Sequence, residues 1–317
     1  MANDHYVPQF YLRGFEARPG KVWCYERQLR PSLMGIKSVA SEDDYYAIRT
    51  VPGIEKDKVD KIFQQLESGA APIIKYLKTA SKIDLCWEDR EVLSMFIASL
   101  SNRTPYQRES LTNLGLALTK ETLKIFHENK ELYHESARKA GLDADPELVE
   151  QSRLLKFDKD IELKYEPDSA ADYFLGLSLE LVEIVTEIIK QKHWSLLGSK
   201  TSRVFVTSDN PVVLMPPENH DNRLGVGVGN AIIAIPLSPQ RSLLLANRKG
   251  PNDITYLSRE AVKEINQWTI LRAHKQVFAS LESKDIRDAF NKTTHGHNTR
   301  VVVNDGRKKE QPETGVV

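Results

Sequence analysis

The hydrophobic pattern of the chain begins with a dense aromatic and aliphatic stretch at residues 5–15, HYVPQFYLRGF, which we call the opening stretch. Chain ends are usually polar and frayed unless packing holds them in place. Because the opening stretch carries four aromatic residues, we expect it to lie buried across the rest of the protein. This arrangement would bring His5, Gln9 and Arg13 into a shared interior.

Apolar residues recur at steps of three and four in several later segments, which is the period of an amphipathic helix. The pattern predicts helices over about 55–77, 87–100, 107–127, 170–190 and 258–279. Pro105 lacks a backbone donor, so we expect a helix to end or kink there. The stretch 128–168 is charged and turn-rich, and we interpret it as a peripheral insertion with short helical patches at most.

Short runs of aliphatic, β-branched and aromatic residues between turn residues predict strands. They lie at 21–27, 194–197, 203–207, 231–235, 242–246 and 300–303. These strands do not alternate with helices, so a doubly wound parallel sheet is not expected. The predicted fold is α+β, with a helical middle region packed against a small, mostly antiparallel sheet. We expect one domain over 1–303 and a polar tail at 304–317.

The composition narrows the classes of partner. The 317 residues are enough for a substantial core, and 44 basic residues balance 44 acidic ones. Zero net charge gives no support to bulk attraction to nucleic acid or anionic lipid. It is still compatible with a local basic groove. With no signal-peptide pattern and no long apolar run, we expect a cytoplasmic protein without a membrane partner. Cys24 and Cys86 are expected to be reduced, buried thiols. The sequence does not indicate an oligomeric state.

Several motifs together resemble one family, domain of unknown function family 4238. They are the opening HYVPQFYLR at 5–13, TSDNPV at 207–212 with IPLSP at 235–239, RTP at 103–105 and ESGAAP at 67–72. The resemblance covers residues 5 to about 280. It implies an uncharacterised protein with no assigned catalytic residues. Some members look like stand-alone bacterial phage-defence genes, which implies a toxic effector.

Polar residues at element ends or on apolar backgrounds are the candidates for chemistry, because a buried charge is costly unless it is paired. They are His5, Gln9, Arg13, Glu67, Asn102, Arg103, Arg108, Asp209 and Asn210. Either these residues pair with one another in a structural network, or they line a cleft.

Each candidate has two interpretations from sequence alone. Asp209 follows a predicted strand and is either a site residue or part of an Asx-turn. Arg103 and Arg108 either clamp a phosphate with their guanidinium groups or pair structurally with Asp209 or Glu67. His5 is either a general base or metal ligand, or a structural residue.

The first functional hypothesis is a metal-dependent hydrolase that acts on a phosphodiester, in nucleic acid or in a nucleotide. Glu67 and Asp209 would hold Mg²⁺, which prefers oxygen ligands, and His5 would act as the base. The substrate-binding residues would be Gln9, Arg13, Arg103, Arg108 and Asn210. The alternative is a non-catalytic binding or sensor protein of phage defence, in which the Arg and acid groups form a salt-bridge network. Polar residues in apolar settings favour the enzyme; the incomplete catalytic signature favours the alternative.

Overall fold

The computed structural model describes residues 3–50, 57–154, 167–217 and 227–293. The helices are α1 (Gln9–Leu12), α2 (Lys58–Leu77), α3 (Trp87–Asn102), α4 (Pro105–Glu128), α5 (Lys130–Lys139), α6 (Pro146–Arg153), α7 (Pro167–Gln191), α8 (Arg259–Arg272) and α9 (Lys284–Lys292). The strands are β1 (Asn3–His5), β2 (Lys21–Glu26), β3 (Ser32–Gly35), β4 (Ser41–Asp43), β5 (His193–Ser199), β6 (Thr207–Ser208), β7 (Val213–Met215), β8 (Ile232–Ser238), β9 (Arg241–Ala246), β10 (Thr255–Leu257) and β11 (Gln276–Ala279).

The described strands form three sheets. One has the order β3-β2-β11-β6 and is antiparallel throughout. The second has the order β10-β5-β9-β8-β7, with β10 and β5 parallel and the other pairs antiparallel. In the third, β1 pairs with β4. The predicted α+β fold with a mostly antiparallel sheet is therefore confirmed.

The four-stranded sheet separates two apolar interiors. Successive residues of a strand point to opposite faces. In β2, Val22 and Cys24 face the main core, which also takes residues from the opening stretch, α2 and α3. Trp23 and Tyr25 face a smaller cluster formed with α8 and α9. The opening stretch, α2 and α3 thus lie on one face of this sheet, and α8 and α9 lie on the other. A site in the first group is therefore separated by the sheet from a site in the second.

The opening stretch is buried in the main core, as expected. Tyr11 and Phe15 are fully buried, and the Tyr11 hydroxyl donates a hydrogen bond to the Pro236 carbonyl. The expectation that Arg13 shares this interior is wrong, because the Arg13 side chain is exposed. The short turn that follows α1 directs Leu12 and Phe15 inward instead.

Two predicted elements differ from those observed. The helix predicted to reach residue 279 ends at Arg272, and residues 276–279 form β11. The strand predicted at 203–207 is reduced to β6. The Asn266 side chain takes the place of a strand partner, because its Nδ2 donates to the Val204 carbonyl at 2.8 Å and its Oδ1 accepts from the Val206 amide at 3.1 Å.

Cys86 is exposed, so the prediction of two buried thiols holds for Cys24 alone. Cys86 precedes α3, and its Sγ accepts a hydrogen bond from the Asp89 amide at 3.4 Å. It therefore caps the helix rather than filling the core.

None of the helices in the described ranges combines the length and apolar character needed to cross a membrane. The longest, α7, carries acidic residues at Glu180, Glu183 and Glu187.

The chain divides into two compact units, one of residues 1–109 with 166–296 and one of residues 110–165 with 297–317. The predicted insertion at 128–168 overlaps the second unit and contains the short helices α5 and α6. The predicted strand at 300–303 and the tail at 304–317 lie outside the described residues.

Within the second unit, Glu150 joins α5 to α6. Its Oε1 lies 2.7 Å from Arg153 Nη2, and its Oε2 lies 2.8 Å from His134 Nε2. The Arg153 guanidinium, followed by the His134 ring, lowers the pKa of Glu150 to about 2. This value lies below the ~4.3 of a glutamate in an unfolded chain.

We expect Glu150→Gln to lower the free energy of unfolding near neutral pH. The ionised carboxylate contributes its stability above the unfolded-state pKa, and this contribution is lost as the pH falls through the folded-state value. The deficit of Glu150→Gln relative to wild type should therefore stay constant down to about pH 5 and shrink as the pH falls from about 5 to about 2. Urea denaturation at each pH measures it, with Glu147→Gln in the same helix as the control. A deficit that stays constant with pH would contradict the pairing.

Candidate functional site

The Arg103 side chain is the centre of the first group of predicted residues. It is only 1% exposed, and its Nη2 lies 2.8 Å from Oε1 of Glu67. Its Nε donates to the Tyr6 carbonyl at 3.2 Å, and the guanidinium carbon lies 4.8 Å from the centre of the Phe63 ring. Arg103 therefore connects the end of α3 to α2 and to the opening stretch. The two interpretations of Arg103 were a phosphate clamp and a structural ion pair, and these contacts are those of a structural ion pair with Glu67.

Glu67 is the partly open member of this group. Its side chain is 23% exposed, and only Oε1 has a hydrogen-bond partner among the described residues. Burial raises the pKa of Glu67 above its usual value, although the Arg103 charge and, more weakly, the charge of His5 lower the pKa. One carboxylate oxygen of Glu67 is thus available to a ligand.

His5 ends β1 and is half-buried. Its Nε2 is enclosed by protein and has no hydrogen-bond partner within the described ranges. A buried polar atom without a partner costs about 1–3 kcal/mol, and in native proteins such an atom requires an explanation. A ligand or a water molecule at this nitrogen would supply one.

Two enclosed polar atoms near Arg103 also lack hydrogen-bond partners among the described residues. They are Nδ2 of Asn102, which directly precedes Arg103, and the hydroxyl of Tyr45. Burial raises the pKa of Tyr45, while the charges of Arg108 and Arg103 lower it, so its hydroxyl lies in the electric field of both cations. Both unpartnered groups can donate a hydrogen bond, as an oxyanion would require.

Arg108 does not face Arg103 as one half of a clamp. Its Nη2 donates to the Tyr45 carbonyl at 3.0 Å, and its guanidinium carbon lies 3.8 Å from the centre of the Tyr45 ring. The predicted two-arginine phosphate clamp is therefore not assembled, since each guanidinium is engaged by protein groups.

Gln9, another predicted substrate-binding residue, is half-buried at the start of α1.

Asp209 lies in a second, fully buried setting. Its Oδ1 accepts from the His274 amide at 2.8 Å, and its Oδ2 accepts from the amides of Lys275 at 2.6 Å and Gln276 at 2.8 Å. Burial raises the pKa of Asp209 to about 6, against the lowering effect of these N–H groups. Asp209 joins the end of β6 to the start of β11, and it does not form an Asx-turn with its own segment.

Asn210 completes the same junction. Its Nδ2 donates to the Arg272 carbonyl at 2.9 Å, and its Oδ1 lies 3.5 Å from Thr104 Oγ1. The local turn is made by Ser208, whose Oγ donates to the Asn210 carbonyl at 2.9 Å and accepts from the Asn210 amide at 3.1 Å. Asn210 thus joins the connection between α3 and α4, and the end of α8, to the end of β6.

The predicted Mg²⁺ pair of Glu67 and Asp209 does not fit this geometry. Both oxygens of Asp209 already accept from N–H groups, whose positive ends would repel a cation, and the side chain is enclosed. Within the described ranges, no group of three or more His, Cys, Asp or Glu residues is placed to hold a metal ion.

Sequence reasoning missed the support given by the segment after β4. The Tyr46 hydroxyl donates to the His5 carbonyl at 3.3 Å, and the Tyr46 amide donates to Asp4 Oδ2 at 3.1 Å. Tyr45 packs against Tyr6, with ring centres 5.4 Å apart. The signal was present as two adjacent tyrosines after an acidic run, but nothing in the sequence tied them to the opening stretch.

Comparison with known proteins places these residues in one family. A family model described as Protein of unknown function (DUF4238) matches residues 3–283, which include the opening stretch, Arg103 and Asp209. Neither the curated proteins nor the solved structures gave a match. Since the family match extends over most of its length, the chain belongs to the DUF4238 family.

Proposed function

We propose that this protein is a hydrolase that acts on a phosphodiester, in nucleic acid or in a nucleotide, at a site formed by His5, Glu67 and Arg103. The observation that carries the proposal is the enclosed His5 Nε2, which has no partner among the described residues. A buried ring nitrogen kept unpaired is a costly arrangement, and such cost tends to persist at functional sites. The charge of His5 also acts on the partly exposed carboxylate of Glu67.

The proposed chemistry assigns one role to each side chain. His5 Nε2 takes a proton from the attacking water, whose oxygen forms the new P–O bond. The bond from phosphorus to the leaving oxygen breaks, and that oxygen receives a proton from Glu67. Burial raises the pKa of Glu67 and so favours the protonated form that an acid needs. Arg103 supplies a fixed positive charge close to the phosphate.

The other predicted site residues receive no role in this proposal. Arg13 is exposed, and Arg108 is stacked on Tyr45. Asp209 and Asn210 join structural elements through hydrogen bonds. The proposed reaction therefore does not use Mg²⁺, and the test compares turnover with and without the metal.

The test is incubation of the purified full chain with DNA, RNA and nucleotides, in Mg²⁺ or in EDTA, with separation of the products. We expect turnover in wild type and a rate at least about 100-fold lower in Glu67→Gln, because the amide keeps the shape but cannot donate the proton. Glu260→Gln, at an exposed glutamate of α8, is the matched control. Turnover in no condition, or equal turnover in wild type and Glu67→Gln, would overturn the proposal.

The second candidate is a non-catalytic binding or sensor protein of phage defence. The contacts of Arg103 with Glu67, Tyr6 and Phe63 favour it, because they are those of a structural network. Expression in a bacterial host, with growth and phage resistance measured, distinguishes the candidates. A sensor keeps its cellular effect in Glu67→Gln as long as the variant folds, whereas a toxic enzyme loses it.

A further inference from the structure

A cavity of about 620 Å³ lies between α8 and α9. It adjoins a smaller cavity of about 110 Å³, and the two share the side chains of Arg203, Asn266, Asp285 and Ile286. Ligand pockets in proteins typically measure ~300–1,000 Å³. Because α8 and α9 cover the face of the four-stranded sheet opposite the main core, this cavity is separate from the His5 site.

One wall of the larger cavity is apolar. Ile270 and Ile286 form its buried part, with 3% and 7% of their surfaces exposed. Ala289 and the half-exposed Leu271 extend the wall toward solvent. An aliphatic group bound there would remove apolar surface from water on both sides, which is favourable by about 25 cal/mol per Å².

The charges around the cavity leave a cationic surplus. Arg203 Nη2 pairs with Asp285 Oδ2 at 3.0 Å, and Asp288 Oδ1 lies 3.4 Å from Arg287 Nε. In the described part of the chain, Lys263 and Lys292 line the cavity without a carboxylate partner. Both lining carboxylates are therefore already paired, and both lysines stay available to an anion.

Arg203 also presents an unused donor. Its Nε is enclosed by protein and has no hydrogen-bond partner among the described residues, although the side chain lines both cavities. A buried guanidinium N–H without an acceptor is costly, and a negatively charged oxygen in the cavity would satisfy it.

We propose that the cavity between α8 and α9 binds a small amphipathic anion, with an aliphatic chain against Ile270, Ile286 and Ala289. Its carboxylate or phosphate headgroup lies among Lys263, Lys292 and Arg203. This binding site does not depend on the hydrolase proposal, because the two sites use different residues on opposite faces of the sheet.

Isothermal titration calorimetry of the full chain with octanoate and with octyl phosphate tests the proposal. We expect at least one of them to bind, and octanol and inorganic phosphate to bind at least about ten-fold more weakly, since each lacks one half of the ligand. Binding by octanoate alone or by octyl phosphate alone identifies the headgroup. If neither probe binds, or if octanol binds equally well, the proposal is wrong.

Variants locate the binding. Lys263→Ala combined with Lys292→Ala should weaken binding at least about ten-fold, whereas Lys284→Ala, an exposed lysine of α9 outside the cavity lining, should leave it unchanged. Leu271→Asp should also weaken it at least about ten-fold. This change tests the wall at a half-exposed position that can accept a charge without loss of the fold. Wild-type affinity in both lining variants would show that the anion binds elsewhere.

Discussion

Asp209→Asn is expected to lower the free energy of unfolding by about 3 kcal/mol. The carboxylate is fully buried and accepts hydrogen bonds from the backbone amides of His274, Lys275 and Gln276. The amide side chain replaces one acceptor oxygen with a donor, so at least one of these N–H groups faces another N–H with no water to accept it. Urea denaturation followed by circular dichroism measures the loss.

Asp253→Asn is the matched control, because Asp253 is exposed. Substitution at an exposed position of this kind usually changes the stability by less than about 0.5 kcal/mol. An unfolding free energy of Asp209→Asn close to that of wild type would contradict the structural role of this carboxylate.

His5→Phe is expected to reduce the turnover of the substrate identified in the nucleic acid and nucleotide screen by at least about 100-fold. The substitution keeps a planar aromatic ring, one atom larger than imidazole, and the backbone pairing of His5 with Ser41 in β4. It removes both ring nitrogens, and Nε2 is the proposed proton acceptor. The rate per folded molecule is the quantity to compare.

The control for His5→Phe is His193→Phe, at the exposed first residue of β5. This variant should retain the wild-type rate. A His5→Phe protein that turns over substrate as fast as His193→Phe would exclude His5 as the base.

The sequence predicts well the elements whose apolar period decides their structure. The steps of three and four in α2, α3 and α7 place their apolar faces in the core, and the aliphatic runs of β5, β8 and β9 form strands. The opening stretch is buried because transfer of its aromatic side chains from water into the core is favourable.

The predictions of secondary structure fail where a distant side chain forms hydrogen bonds with backbone groups that a regular helix or strand would use. The apolar pattern continues beyond Arg272, yet α8 ends there, because Ala273 is extended and the next amides bond to Asp209. The run before β6 is rich in β-branched and aromatic residues, yet Asn266 binds its backbone in place of a strand. Neither long-range contact has a local signal in the sequence.

The same limit applies to the candidate site. Glu67 and Asp209 are equivalent in the sequence, as carboxylates on apolar backgrounds. The structure separates them, since Glu67 is partly exposed beside Arg103 and Asp209 is enclosed by backbone donors. The pairing of Arg103 with Glu67 was one of the two interpretations open from sequence, but the exposure of Arg13 and the position of Tyr45 were not foreseeable.

The central claim is that His5 serves a ligand rather than the fold, and the unfolding free energy of His5→Phe tests it most directly. Because Nε2 is enclosed and has no partner among the described residues, its removal should leave the unfolding free energy within about 1 kcal/mol of wild type, or raise it. A fall of about 2 kcal/mol or more would show that the ring nitrogens stabilise the native structure, and would contradict the claim.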